Sequence, residues 1–407
     1  MNRFSLGWFL IILAPVFLAL SAPYYSGDVK NHLAWAQSLL KLGPFNFYAR
    51  EFPGYAFPNY PPVMMGLFAL SLKVYQLINQ ASWYLNTHFS LFPSQLIPFI
   101  QWENTQIAFL KLPALFAHLL VVYTVDKLFN KRHLSLLLLF NPALLYLTII
   151  WGQVDLLPVA LLVLSVYLLQ RKNLILSSMV ISLSLLTKQT VVIFLPVYMY
   201  FFITQSGPKR LAYPLIIFPI IFYLAYLPFH QFDLGWPIFL YRHNFDLVAA
   251  SVNENALNLW GLIFDFHRVN DGIKFGLLTY QQWGYLMFGL SMVVPIINFL
   301  TIEKTVKNLF TFLAIITLGY FLFLTRMHER YLAPAMVYLT ILVSFGKKYY
   351  LPLIWMSLVY LVNLYHGLFM PYLPFYNFFN NLYFLDGLVA GYLLMFIYLI
   401  SLSFKND

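Results

Sequence analysis

The sequence predicts an all-α, polytopic integral membrane protein of about twelve transmembrane helices, and three observations carry that expectation. First, 61% of the 407 residues are hydrophobic and only 9% are charged, with a mean hydropathy of +0.74. A water-facing domain normally carries about 25% charged residues, so the 24 Lys and Arg and 14 Asp and Glu here cannot cover a soluble surface of this size. Second, apolar runs near the length that crosses a bilayer, about 20 residues, recur along the whole chain. Third, the cations sit in short pairs between those runs, as topology signals do. No polar stretch is long enough to form a separate soluble domain, so residues 1–407 read as one membrane domain.

The runs fall near 4–22, 104–126, 134–151, 154–169, 174–187, 190–204, 211–229, 277–300, 309–325, 331–345, 351–366 and 384–404. Arg3 precedes the first, and later loops carry Lys127, Lys131 and Arg132, then Arg171 and Lys172, Lys209 and Arg210, Lys304 and Lys307, Lys347 and Lys348, and finally Lys405. With all of these cytoplasmic, twelve spans alternate without conflict and both termini lie inside. The compact chain, with no long cytoplasmic tails, suggests the cytoplasmic membrane of a prokaryote. A secretory signal ending near Leu20, Ser21 and Ala22 is the alternative reading of the first run.

One further apolar segment, Pro61 to Ile78, would invert every later loop if it spanned. It reads instead as a helix lying in or dipping into the interface, with the Pro61-Pro62 pair placed where a first turn tolerates proline. It belongs to a first external loop, residues 22–104, and residues 230–275 form a second.

The net charge of +10 would suggest nucleic acid in a soluble protein. With the cations scattered in pairs and no polybasic tract, no nucleic-acid partner is expected. Cysteine is absent, which excludes disulfides, thiolate zinc sites and a cysteine nucleophile. Walker loops, dinucleotide fingerprints and nucleophile elbows are missing too. No metal ligand set is identified, because His328 and Glu329 are adjacent and alone. No cofactor is implied, and a divalent metal requirement stays open.

The distinctive polar residues gather on one side. Asp28 follows the first run closely, and it reads either as a cap of the helix starting near Val29 or as a general base at an apolar surface. Gln153 and Asp155 lie in Trp151-Gly152-Gln153-Val154-Asp155, where one span leaves and the next returns. A membrane-edge carboxylate points to function, and helix capping is the alternative. Arg326, His328, Glu329 and Arg330 put four ionisable residues within five on the outer side, against the positive-inside trend. A structural Arg–Glu pair explains them weakly; two guanidiniums gripping a phosphate explain them better. Lys188, another outer cation in apolar surroundings, adds charge for the same anion.

These motifs carry a resemblance. Gly27-Asp28, Asn59-Tyr60-Pro61-Pro62, Lys111-Leu112-Pro113, Asn141-Pro142, Trp151 to Asp155, Leu186-Thr187-Lys188-Gln189, Ser251-Val252-Asn253 with Asn258-Leu259-Trp260, and Arg326 to Tyr331 occur in order, spread from residue 27 to residue 331. In this order and sidedness the chain resembles the polytopic GT-C glycosyltransferases that use a polyprenyl-phosphate sugar. The nearest group is the bacterial relatives of the GPI mannosyltransferases and of the dolichyl-phosphate-glucose glucosyltransferases. One departure is Asn253 to Asn258, which carries extra residues where relatives often read Val-Asn-Ala-Phe-Asn.

The resemblance implies that a hexose, mannose or glucose, passes from a polyprenyl-phosphate donor to a lipid-linked or cell-envelope glycan acceptor on the extracytoplasmic face, with inversion. It makes Asp28 the catalytic base and Arg326, Arg330 and Lys188 the donor-phosphate ligands. His328, Glu329, Gln153, Asp155, Tyr60 and Asn253 become substrate-binding or supporting residues, and membrane lipids are the surrounding partners. The rival class is a transporter or flippase of lipid-linked saccharides. Such proteins often show repeated halves and broken, charged helices at mid-membrane, whereas here the charges sit at helix ends and the halves look unalike.

Overall fold

The computed structural model describes residues 26–230, 233–246 and 249–404. The first apolar run, Arg3, Lys405 and both termini lie outside the described residues. The described chain is helical almost throughout; its one short sheet pairs Lys274–Phe275 with Leu278–Thr279. Among the described residues seven helices are long and apolar enough to cross a membrane: Leu112–Phe129, Gln189–Ser206, Pro208–Phe229, Tyr280–Thr301, Val306–Phe323, Lys347–Leu368 and Leu382–Ser403. A broken pair, Arg132–Leu139 and Pro142–Trp151, bends by 49° and makes an eighth if taken as one span. These helices mark an integral membrane protein. Three of the expected runs correspond to shorter helices: Leu156–Gln170, Leu174–Leu185 and Ala333–Val343.

Burial separates the helices into a centre and a rim. Every residue of Ala333–Val343 is buried, and 78% of the apolar window of Val306–Phe323 is enclosed, against 17% for Pro208–Phe229. On the rim helices Leu215, Leu224, Ile297 and Leu394 stand more than half exposed, as expected where the solvent is lipid. A helix apolar on all sides needs such an environment or a core.

The bend at 140–141 has a local cause. Pro142 has no N–H to continue a helical ladder, and the Asn141 carboxamide caps the new helix, accepting from Ala143 N at 3.1 Å and Leu144 N at 3.2 Å. Six residues on, the chain loosens into a π-helix over Tyr146–Trp151 and stops at Gly152, whose φ is +79°. A Cβ there would lie 2.9 Å from Lys111 Cγ and 3.0 Å from Val29 Cγ2, so glycine meets both the backbone and the packing demand.

The segment expected over Pro61–Ile78 is a 27-residue helix, Pro62–His88, that runs on past Ile78. It does not meet the length-and-hydropathy requirement for a span that seven other helices meet. Met64, Met65, Phe68 and Leu72 form its buried face, and Phe68 stacks on His32 of the helix Gly27–Leu42 at 4.0 Å.

Candidate active site

Asp28 sits in the first turn of Gly27–Leu42, and the capping role belongs to its neighbour. Ser26 Oγ accepts from Val29 N at 3.2 Å while donating to the Trp151 carbonyl at 3.2 Å. The Asp28 carboxylate is therefore available, and it turns to the end of the broken span. Its Oδ2 accepts from Gln153 Nε2 at 2.6 Å and from Trp151 Nε1 at 3.2 Å. Lys111 stabilises that turn from below: its buried ammonium donates to the carbonyls of Ile149 at 2.9 Å and Ile150 at 3.0 Å. Cations suit helix C-termini, where carbonyls lose their partners.

Asp155 occupies the N-cap position of Leu156–Gln170 without making a side-chain cap bond. It pairs instead with Lys188 Nζ at 2.5 Å, both side chains nearly excluded from solvent. Lys188 also faces the rings of Tyr331 and Tyr60, 5.0 and 5.7 Å from their centroids. Arg330 completes the cluster: Nη1 donates to Glu329 Oε1 at 3.0 Å, and Nε lies 3.9 Å from Asp155 Oδ2. Helix Lys347–Leu368 closes over this point through Gly367, where a Cβ would come within 2.8 Å of Glu329 Cγ and 3.2 Å of Trp151 Cη2.

The electrostatics follow from this crowding. Burial pushes the Asp28 carboxyl upward, but Arg330, His32, the Trp151 hydrogen bond and Lys188 together leave it below the usual carboxylate range. His32, one helical turn from Asp28, is driven by burial to about 4, with the Asp28 charge opposing and Arg330 and Lys188 assisting, and is neutral at pH 7. Burial raises the Glu329 carboxyl, against the pull of Arg330. It lowers Lys188, against the pull of Asp155. Asp28 is thus an ionised acceptor beside two cations.

Four buried polar atoms in this cluster have no hydrogen-bond partner among the described residues: His32 Nδ1, Gln153 Oε1, Asp155 Oδ2 and Arg330 Nε. Leaving such a group without any partner costs about 1–3 kcal/mol, which falls on His32 Nδ1 and Gln153 Oε1, whereas Asp155 Oδ2 and Arg330 Nε face each other as an ion pair at 3.9 Å. Beside them a groove of about 460 Å³ opens, walled by Val191, Ile193, Phe194, Tyr320 and Pro334, with Asp155, Tyr331 and Arg326 contributing its polar end.

The sequence-identified residues do not all converge. Asp28, Gln153, Asp155, Lys188, Glu329, Arg330 and the Tyr60 ring form one connected cluster. Arg326 lines the groove, held by the buried Asp271 through Nε at 2.7 Å and Nη2 at 3.2 Å. His328 lies beside Arg330, 3.5 Å from Nη1 to Nδ1, and its backbone bridges to Glu254 and Asn255. Asn253 stays apart, fully buried in its own loop. Its Nδ2 donates to the Ala256 carbonyl at 2.7 Å and to Asn258 Oδ1 at 2.6 Å. That loop docks on the Arg326–Glu329 segment through Arg326 N to Ser251 O and Glu254 N to Met327 O, both 3.0 Å. Among the described residues no three His, Asp or Glu side chains converge as metal ligands.

Four contributors were not singled out as site residues from sequence: Trp151, His32, Lys111 and Asp271. The first three lay within quoted motifs or external stretches, and Asp271, in Asn270-Asp271-Gly272, has only the look of a turn. No family model matches the chain, and no curated protein matches it.

Proposed function

We propose that the chain is a membrane hexosyltransferase that moves mannose or glucose from a polyprenyl-phosphate donor to a lipid-linked or cell-envelope acceptor. The observation that carries this reading is a carboxylate, Asp28, held by Trp151 and Gln153 in one cluster with the buried Lys188, the partly buried Arg330 and Asp155, the last of which lines an apolar groove. In the proposed step the Asp28 carboxylate takes the proton of the acceptor hydroxyl. The acceptor oxygen attacks the anomeric carbon from one face, and the bond to the phosphate oxygen breaks on the other with its electron pair leaving on the phosphate. Configuration inverts. The departing phosphate needs charge stabilisation more than protonation, a role suited to Arg330, Lys188 and Arg326. Arg330 Nε, without a hydrogen bond of its own, would bind phosphate and Gln153 Oε1 a sugar hydroxyl, and the apolar groove walls suit an isoprenoid chain.

The same reading takes the fold as about twelve spans. The seven long helices, the broken pair, the three shorter helices and the first run at 4–22 make that number, with both termini cytoplasmic and the Asp28 cluster extracytoplasmic. Of the short helices, Ala333–Val343 is wholly enclosed and Leu156–Gln170 largely so, so these two need not bridge lipid alone, whereas Leu174–Leu185 keeps Ile175, Leu176 and Met179 exposed. Helix Pro62–His88, buried on one face only, fits the interface.

The test is reconstitution of purified protein with polyprenyl-phosphate glucose or mannose and a membrane lipid extract as acceptor. Free polyprenyl phosphate should be released by the wild type and not by Asp28→Asn. Equal release by both would remove Asp28 from the role of base. Passage of the lipid across a liposome bilayer without release would favour the transporter class.

A further inference from the structure

The opposite end of the broken span holds a second groove that the proposed reaction does not use. It measures about 470 Å³ and lies between Arg132–Leu139 and Lys347–Leu368, walled by Leu136, Leu137, Phe140, Leu353, Ile354 and Leu358. Its origin is the 49° bend: where the chain turns at Phe140 and Asn141, the first half of the span tilts away from its neighbour and leaves a wedge. The polar groups at its floor satisfy one another, Asn141 Nδ2 donating to Ser357 Oγ at 2.8 Å. A sugar or nucleotide would find no waiting donors there, and a hydrocarbon chain would lose nothing.

The mouth is different. His133 and Tyr350 are lining residues at the two helix starts, and each lies within two residues of a basic pair, Lys131 with Arg132 and Lys347 with Lys348. Lys131 Nζ donates to the Ser344 carbonyl at 2.8 Å, which draws the two basic segments together across the mouth. Ser344 Oγ is enclosed there without a hydrogen-bond partner among the described residues. The first turn of Arg132–Leu139 has no side-chain cap, so its N–H groups add to the positive field.

We infer that this groove is a binding site for one anionic phospholipid, with an acyl chain in the wedge and the phosphate headgroup at the Lys131, Arg132, Lys347 and Lys348 mouth. Basic pockets between membrane helices recognise anionic headgroups in this way. The inference is independent of the catalytic reading, because its readout is lipid occupancy and not turnover.

The experiment titrates the purified full chain in detergent with palmitoyl-oleoyl phosphatidylglycerol or phosphatidylcholine and counts bound lipid by native mass spectrometry. Wild type should retain one phosphatidylglycerol in preference to phosphatidylcholine. Arg132→Gln with Lys348→Gln should erase that preference, by about fivefold for each cation removed. Ile354→Trp, which fills the wedge, should lower retention of both lipids. Arg171→Gln with Lys172→Gln, at a basic loop pair away from the groove, should change nothing. Equal retention of the two lipids by wild type would overturn the inference, as would a preference surviving in the first double variant. So would equal loss in the Arg171 and Lys172 control, or retention unaffected by Ile354→Trp.

Discussion

Gln153 Nε2 donates to Asp28 Oδ2 at 2.6 Å, joining positions 125 residues apart. That contact, with Trp151 Nε1 on the same oxygen, ties the Asp28 carboxylate to the end of the broken span, while Ser26 caps the helix. On the proposed reaction Asp28→Asn should cut transfer by about two to four orders of magnitude, the usual worth of a general base. Melting should change little, because Ser26 keeps the cap. The paired measurement is product release against thermal unfolding; a large loss of melting temperature would return Asp28 to a structural role.

His32 makes a prediction about pH. Its folded value of about 4 lies below the ordinary 6.5, so between those values the unfolded chain binds a proton that the folded chain does not. Stability then rises with pH across that window and falls on acidification through it, by roughly 3 kcal/mol at most. The groups facing the ring are Asp28 on its own helix and Arg330 and Lys188 across the cluster. Asp28, with its value lowered, acts only further down, losing its contribution as pH falls through the carboxylate range. Melting curves from pH 7 to 4.5 should fall steeply for wild type and more gently for His32→Gln. Parallel curves would show that His32 does not titrate with unfolding.

Gly367 tests how tightly the site is closed. An added Cβ would stand 2.8 Å from Glu329 Cγ, whereas at Gly289 nothing lies within 4 Å. Gly367→Ala should displace Glu329, and with it Arg330, costing about 1–3 kcal/mol as overpacking does, together with most activity. Gly289→Ala should be neutral or stabilising by about 0.5–1 kcal/mol, since alanine favours a helix interior. Similar behaviour of the two variants in thermal unfolding and turnover would contradict the packing argument.

The fold was largely legible because lipid leaves a simple signature: apolar runs interrupted by basic pairs. Every run from 104 onward meets a helix or a broken pair. Less legible was the length of each helix, since tertiary enclosure lets Ala333–Val343 stop at 11 residues where hydropathy alone suggests a span. In the site, Asp28, Asp155, Lys188 and Arg330 announced themselves as charges in an apolar setting, which is costly and therefore conspicuous. Asn253 was equally conspicuous but proved to hold its own loop, because an asparagine's local hydrogen bonds and its ligand contacts look alike in sequence. Asp271 was overlooked for the same reason in reverse: a turn-like setting hid its buried pairing with Arg326.

Lys111 acts at one remove. Lys111→Met would leave the carbonyls of Ile149 and Ile150 buried without their donor, a loss of about 1–3 kcal/mol. Because those carbonyls immediately precede Trp151, the turn that presents Trp151 and Gln153 to Asp28 should loosen. The expected result is a fall in kcat larger than any change in KM, partly restored in Lys111→Arg, which still donates. An unchanged kcat in a destabilised Lys111→Met would limit the residue to stability.

The buried pair of Lys188 and Asp155 offers the sharpest separation of structure from function. Removing one partner leaves the other charge enclosed and should cost about 3–5 kcal/mol, whereas removing both is often close to neutral. Arg330, 3.9 Å from Asp155, should soften the loss in Lys188→Met and leave Asp155→Asn the more damaging single change, since both Lys188 and Arg330 then lose a counter-charge. The double variant should therefore recover most of the melting temperature lost by either single one. Activity should behave otherwise. If Lys188 stabilises the departing phosphate, the double variant remains as inactive as Lys188→Met despite its restored fold. Recovery of turnover alongside stability would show that the pair serves only to hold the helices Leu156–Gln170 and Gln189–Ser206 together.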